Sequence, residues 1–245
     1  MAYRNNLEMQ QAFILHRSPY SNSSLLLECL TSSQGRFPLI AKGANSDKER
    51  KRGGSLHPFT PLLINWSGRG EVKNLCNHDV SDRPIPLTGN ALYCGFYVNE
   101  LIMRLVHRND PNGELFTLYK DTIYALSQSP MLDSVLRAFE LNLLALLGYG
   151  LNLEYDAVTG EPIDPNGFYL FETETGPIRT GEHAQQAISG STLLGITSGE
   201  ELDKQGRGEA KALLRQVISY YIGDKPLKSR ELFRTISSVN NRWKQ

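Results

Sequence analysis

The sequence predicts an α+β protein: an N-terminal five-stranded barrel of the OB type, followed by an α-helical domain. Three observations predict it. Five short strand-like runs with turn signals between them occupy residues 12–76, as a small closed barrel requires. Two prolines in Asp82-Arg83-Pro84-Ile85-Pro86 end the β-pattern, because proline cannot donate to a strand ladder. From Leu92 the apolar residues recur every three or four positions, the period of a helix face. The reading divides the chain into residues 1–85 and 86–245, and a length of 245 residues accommodates two modest domains.

The expected strands are Ala12–Leu15, Ser24–Leu30, Phe37–Ala41, Leu62–Trp66 and Val72–Cys76. Pro19-Tyr20-Ser21-Asn22 supplies the first turn, and Gly68-Arg69-Gly70 supplies the last. A small sandwich has the same strand count, since count alone does not fix topology. Helices are expected over Leu92–Val106, around Leu115–Leu126, over Ser134–Leu147, and late in the chain over Glu209–Ile222 and Ser229–Ser237. Gly148-Tyr149-Gly150 is a glycine stop signal for the third. Residues 154–182, rich in Gly, Pro, Asp, Glu and Thr, read as an irregular insert with a short hairpin at Gly167–Phe171.

With 40% hydrophobic and 21% charged residues, the composition is that of an ordinary globular protein. The N-terminus MAYRNNLEMQ has no apolar signal core, and no run approaches a membrane span, so the cytoplasm is the expected compartment. Cys29, Cys76 and Cys94 form no CxxC pair. They read as core residues, with no disulfide framework and no zinc site.

The formal net charge is zero, but its distribution is uneven. Residues 1–90 carry 11 Lys/Arg against 7 Asp/Glu, residues 91–210 carry 7 against 17, and residues 211–245 carry 8 against 2. A neutral chain binds a polyanion when its cations gather on one face. The stretch from Gly35 to Leu75 holds such a cluster: Lys42, Lys48, Arg50, Lys51 and Arg52, flanked by aromatic-bearing strands. Cations there neutralise phosphates and release counterions. Aromatic faces stack on unpaired bases without reading sequence. Asp47 and Glu49 lower the loop's net charge, and a plain solvated loop is the competing reading.

Arg36, Arg69 and Lys73 form a second tier of candidates. Arg69 stands between two glycines, where backbone approaches a phosphate closely; a hairpin turn with Arg69 in water is the alternative. Trp66, at a strand end, is the aromatic best placed for exposure, ahead of Phe37, Phe59 and Tyr20, though strand aromatics are mostly core. Lys225, Lys228, Arg230 and Arg234 in KPLKSRELFR read as a further DNA contact or as support of a helix end. Arg137 opens an apolar helix. It suits the carboxylate of an acidic-aromatic peptide, or an internal pair with Asp133 or Glu140.

Enzyme motifs are lacking. The chain has no GxxxxGK[ST] loop and no HExxH, and its five histidines are scattered. The carboxylates of residues 154–182 leave a metal-dependent nuclease as the alternative reading, although their spacing matches no metal pattern. A protein-interaction adaptor is a third.

Six segments in order carry a resemblance: AFILHRSPYSNSSLLLECLT, GRFPLIAKGA, LHPFTPLLINWSGRGEVKNL, ALYCGFYVNELIMRL, LRAFELNLLALLGYG and KPLKSRELFR. Together they resemble the bacterial RecO family of recombination-repair mediators, over roughly Ala12 to Arg234. The resemblance implies an OB-fold and a helical domain, binding of single- and double-stranded DNA, and annealing of complementary strands. It implies partnership with RecR and with the C-terminal tail of single-stranded-DNA-binding protein, so that RecA is loaded at gaps. It implies a bacterial, nucleoid-associated cytoplasmic protein, without cofactor or membrane. It places Arg137 at the tail-binding site and the AKGA segment in the DNA-binding barrel. Some members hold zinc through four cysteines after the GYG segment. This chain has no cysteine beyond Cys94, so no metal is expected.

Overall fold

The structure is a computed structural model that describes residues 6–46, 55–223 and 225–231. Five strands, β1 (Asn6–Tyr20), β2 (Ser24–Thr31), β3 (Gly35–Ala41), β4 (Leu62–Ser67) and β5 (Lys73–Val80), close into a barrel in the order β1-β2-β3-β5-β4. All neighbours are antiparallel except β3 and β5, which pair parallel at Leu39↔Lys73 and Ile40↔Asn74. This topology is the OB-fold and excludes the sandwich.

β1 is far longer than Ala12–Leu15, because its polar flanks carry no apolar signal. Its first half pairs with β4 and its second half with β2, and Ala12 pairs with both Leu62 and Thr31. A register shift between Ile14 and His16 bends the strand, the usual way a barrel turns a corner. The run Ala12-Phe13-Ile14-Leu15 is apolar throughout because both faces are covered. Ala12 and Ile14 join the barrel core with Leu25, Leu27, Phe37, Leu39 and Ile64. Phe13 meets the rings of Phe116 and Tyr119 at 5.7 and 5.1 Å.

Those rings belong to helix α2 (Gly113–Gln128), which follows α1 (Gly89–Leu105) and precedes α3 (Leu132–Leu146). Asn112 caps α2 by accepting from Leu115 N at 2.9 Å, satisfying one of the free donors of a helix start. The contact between helices and barrel has a buried polar centre. Asn99 donates to the Leu15 carbonyl at 2.8 Å and accepts from the Tyr119 hydroxyl at 2.9 Å, so the groups are satisfied without water. Burial pushes the Tyr119 phenol well above its ordinary range. Gly95 permits the close approach of α1, since a Cβ there would press on Leu87 and Phe59.

The chain forms two compact units. One comprises residues 1–135 and 226–245, and the other residues 136–225. In the second, the expected irregular insert is ordered. Strands β6 (Phe168–Glu172) and β7 (Gly176–Thr180) form a hairpin, and β8 (Ile188–Ser189) pairs with β6 on the other side. Only β6 lay in the stretch read as a hairpin.

The turns around this sheet are held by side chains. The buried Asp156 carboxylate accepts from Val158 N, Thr159 N and Arg179 N at 2.9, 2.8 and 2.7 Å. Helix α4 (Gly190–Ser198) went unanticipated because GSTLLGITS has no amphipathic period. Helix α5 (Lys204–Ile222) starts earlier than Glu209, capped by Asp203, which accepts from Gly206 N at 2.7 Å. Residues 228–231 begin a further helix, and the rest of the expected Ser229–Ser237 segment lies outside the described residues.

Candidate nucleic-acid interface

The β1–β2 hairpin and the end of β3 meet at one end of the barrel. Tyr20 pairs with Ser24, and Leu25 pairs with Ala41. Lys42 follows directly, and Asn45 N donates to the Ser23 carbonyl at 2.9 Å, fastening the start of the β3–β4 loop to the hairpin. Lys42 is exposed, and its side chain has no partner among the described residues. Tyr20 is 48% exposed. An exposed cation and an open aromatic ring thus share this end. The remaining loop cations, Lys48, Arg50, Lys51 and Arg52, lie outside the described residues.

The far side of that loop is anchored. Arg17 donates to the Leu56 carbonyl at 3.2 Å and lies 3.0 Å from the His57 ring nitrogens. Partial burial, and then the Arg17 charge, lower the His57 pKa below its ordinary value.

Arg69 sits in the β4–β5 turn, exposed, with Gly68 before it at φ +108°. No side-chain partner holds it among the described residues. Lys73 is half-buried and stands beside Leu39 in the parallel pairing.

Two candidates are corrected. Arg36 bonds internally: its guanidinium pairs with Glu28 and donates to the Val106 carbonyl at 2.8 and 3.2 Å. Arg108 clasps the same carboxylate at 2.8 and 3.0 Å, and this hydrogen bond raises the Arg108 pKa. The cluster fastens β2 and β3 to the α1–α2 connection. The close approach of Asp110 there requires a glycine at Gly35, whose φ is +68°. Trp66 is 6% exposed and packs against Phe37 with ring centroids 4.8 Å apart, so its face is unavailable to bases. Phe37 and Phe59 are likewise core. Of the four aromatics weighed, Tyr20 alone is open. Cys29 and Cys94 are buried as expected, whereas Cys76 is exposed on β5, a strand without a fully buried residue.

In the C-terminal segment, Glu100 accepts from Lys228 N, Ser229 N and the Ser229 hydroxyl at 2.9, 2.8 and 2.6 Å. That carboxylate caps the segment's helix from α1. Arg230 lies over the Tyr97 ring at 5.6 Å and reaches its hydroxyl at 3.3 Å, a cation–π contact. Lys228 is exposed, and Lys225 is exposed within the other unit. Arg234 lies outside the described residues. Arg137 pairs with Glu140 at 2.7 Å on α3, one of the two internal partners open to it.

Sequence reasoning missed Arg17, Arg108 and Glu28. Arg17 reaches a partner 39 residues away and Arg108 one 80 residues away, separations that no local spacing announces, and Glu28 meets Arg36, 8 residues on, only through the β2–β3 pairing. Among the described residues, no three His, Cys, Asp or Glu side chains gather as a metal site, and no helix is long and apolar enough to cross a membrane.

A five-stranded OB barrel with cations and an aromatic at its rim, joined to helices, defines the class. The family follows from comparison. The recombination protein O N-terminal family matches residues 6–82, and its C-terminal counterpart matches residues 86–231. The chain is 40% identical over 235 residues to the DNA repair protein RecO of Nitrosospira multiformis, covering 95% of this chain and 97% of that protein. It is 42% identical over 229 residues to that of Methylococcus capsulatus, covering 94% of each, and 41% identical over 225 residues to that of Coxiella burnetii, covering 91% and 96%. The chain belongs to the RecO family.

Proposed function

We propose that this protein is a DNA-binding mediator of recombinational repair that works without nucleotide hydrolysis. The observation that carries the reading is the barrel end where Lys42 and Tyr20 stand open beside the start of the basic loop. Phosphates meet Lys42, the loop cations and Arg69, while Tyr20 offers a stacking face that accepts any base. Both single- and double-stranded DNA present the phosphates this surface needs. Two strands held against one positive surface repel each other less, and pairing follows from base complementarity, so annealing needs no fuel.

The remaining roles rest on family membership. RecR and the acidic C-terminal tail of single-stranded-DNA-binding protein are the proposed partners, with RecA loading as the outcome. Arg137 is the proposed carboxylate contact for the tail, in competition with its Glu140 pair. The bacterial cytoplasm, at the nucleoid, is the proposed location.

The test is a salt titration of single- and double-stranded DNA binding for the wild type and for Lys42→Ala/Arg69→Ala. The variant is expected to bind more weakly to every sequence, with a salt slope lower by about two units. A slope equal to the wild type's removes these residues from the site. For the nuclease alternative, incubation with labelled single-stranded DNA and Mg²⁺ or Mn²⁺ is expected to leave the DNA intact; cleavage abolished by an acidic-to-Ala change reverses the assignment.

A further inference from the structure

Helix α4 ends in an electronegative cleft that DNA binding does not explain. The cleft has a volume of about 500 Å³ and lies within the unit of residues 136–225. Its size falls in the range of ligand sites, about 300–1,000 Å³. One wall is the later part of α4, with Leu194, Thr197 and Ser198, and Glu200 just past the helix end. The other wall is formed by Glu154 and Pro165. The walls are fixed in place. Ser191 N donates to the Pro165 carbonyl at 3.0 Å, and Ile163 N donates to the Glu154 carbonyl at 2.8 Å.

Two independent features make the cleft negative. The first is the helix end. α4 has no basic residue in its last turn, and no backbone N–H among the described residues donates to the Ile196, Thr197 or Ser198 carbonyl. Open carbonyls at a helix C-terminus carry the negative end of its dipole and attract cations. The second is a pair of carboxylates. Glu154 and Glu200 are exposed, one on each wall, and neither side chain has a partner among the described residues. No lysine or arginine lines the cleft. Arg179 pairs with Asp164 at 3.0 Å, and Arg207 donates to the Leu202 carbonyl at 2.7 Å.

Charge complementarity turns DNA and acidic peptides away from this cleft and selects a cation. The kind of cation follows from the lining. A divalent metal needs several oxygen ligands gathered closely around it, and among the described residues no three His, Cys, Asp or Glu side chains gather in that way. Carboxylates on opposite walls suit a wide, planar head with several donors. Leu194, half-buried, and Pro165 offer an apolar surface for an alkyl stem between them. A guanidinium on its alkyl stem has both properties.

We infer that this cleft holds an arginine side chain presented by a protein partner. Its charge sets it apart from the DNA-binding reading, on which it does not depend.

The probe is the peptide acetyl-Gly-Leu-Arg-Leu-Gly-amide. Its control carries neutral citrulline, of nearly the same shape, in place of arginine. Each is titrated into isotopically labelled full-length protein, and the backbone amides are followed by NMR. The variants are Glu154→Gln/Glu200→Gln and Ser198→Lys, the second of which gives the helix end its own cation. Both alter exposed positions, and thermal unfolding monitors the fold.

The arginine peptide is expected to shift the amides of residues 154 and 194–200 until they saturate, and the citrulline peptide is expected to shift none. Each variant is expected to bind the arginine peptide about tenfold more weakly, at an unchanged melting temperature. Excess oligothymidylate is expected to leave the peptide bound. No shift at millimolar peptide, equal shifts from the two peptides, or variants that bind as the wild type does overturn the inference. Displacement by oligothymidylate assigns the cleft to DNA and overturns it as well. So does spermidine that shifts these amides where the peptide does not, which assigns the cleft to a free polyamine.

Discussion

Glu28 is 8% exposed and carries two guanidinium groups, those of Arg36 and Arg108. Its neutral replacement leaves Arg36 without a counter-charge in a partly buried place and frees the exposed Arg108. Glu28→Gln is therefore expected to lower unfolding stability by about 3 kcal/mol, read from the urea midpoint, with DNA affinity unchanged where the fold persists. An unchanged midpoint contradicts the cluster's role as a fastener. Trp66→Ala removes a core ring packed on Phe37 and is expected to cost about 3–5 kcal/mol. If it instead weakened DNA binding at full stability, the ring would be a stacking platform after all. Both residues show the limit of local reading. Arg36 looked like a free cation because Glu28 faces it only through the β2–β3 register, where Leu30 pairs with Arg36 and Glu28 with Pro38. Lys42 and Arg69 were expected to be exposed because each follows a strand end into a turn, and among the described residues neither side chain has a partner.

Elements marked by apolar pattern were read well, and elements held by polar contacts were not. Strands β2 to β4 and helices α1 to α3 fell within a few residues of their expected bounds, the strands as short, nearly continuously buried runs between turns and the helices by their 3.6-residue period. The sheet of β6, β7 and β8 was hidden because its turns are organised by carboxylates instead of by apolar pattern. Asp156 is the centre of that organisation. Hydrogen bonding from Thr159 N first, then from Arg179 N and Val158 N, holds its carboxyl below the usual value. A lowered carboxylate stabilises the fold above its ordinary unfolded pKa, and the contribution fades as pH falls through the lowered value. Asp156→Asn is accordingly expected to melt below the wild type at neutral pH, with the gap closing in strong acid. A gap constant across that range contradicts the role of the charge.

At the scale of the whole molecule, the charge pattern acquires a location. Lys42 and Arg69, exposed and without a side-chain partner among the described residues, sit on the barrel. The strands were legible from their turn signals, but closure into a barrel and not a sandwich rests on the β1–β4 and β3–β5 pairings, which no local signal marks, and the division into two units was not legible either. The chain leaves the first unit near residue 135 and returns at residue 226, a route no composition shift marks. A mediator of this build is expected to anneal complementary strands in buffer without nucleotide, at a rate that falls steeply with salt. A requirement for ATP would contradict it.

The most direct measurement is equilibrium binding of single-stranded DNA to the full chain across a range of salt concentrations. The account predicts a logarithmic affinity that declines linearly with the logarithm of salt, and a shallower line when Lys42 and Arg69 are replaced by alanine. A binding curve indifferent to salt, or one that those replacements leave unaltered, would contradict it.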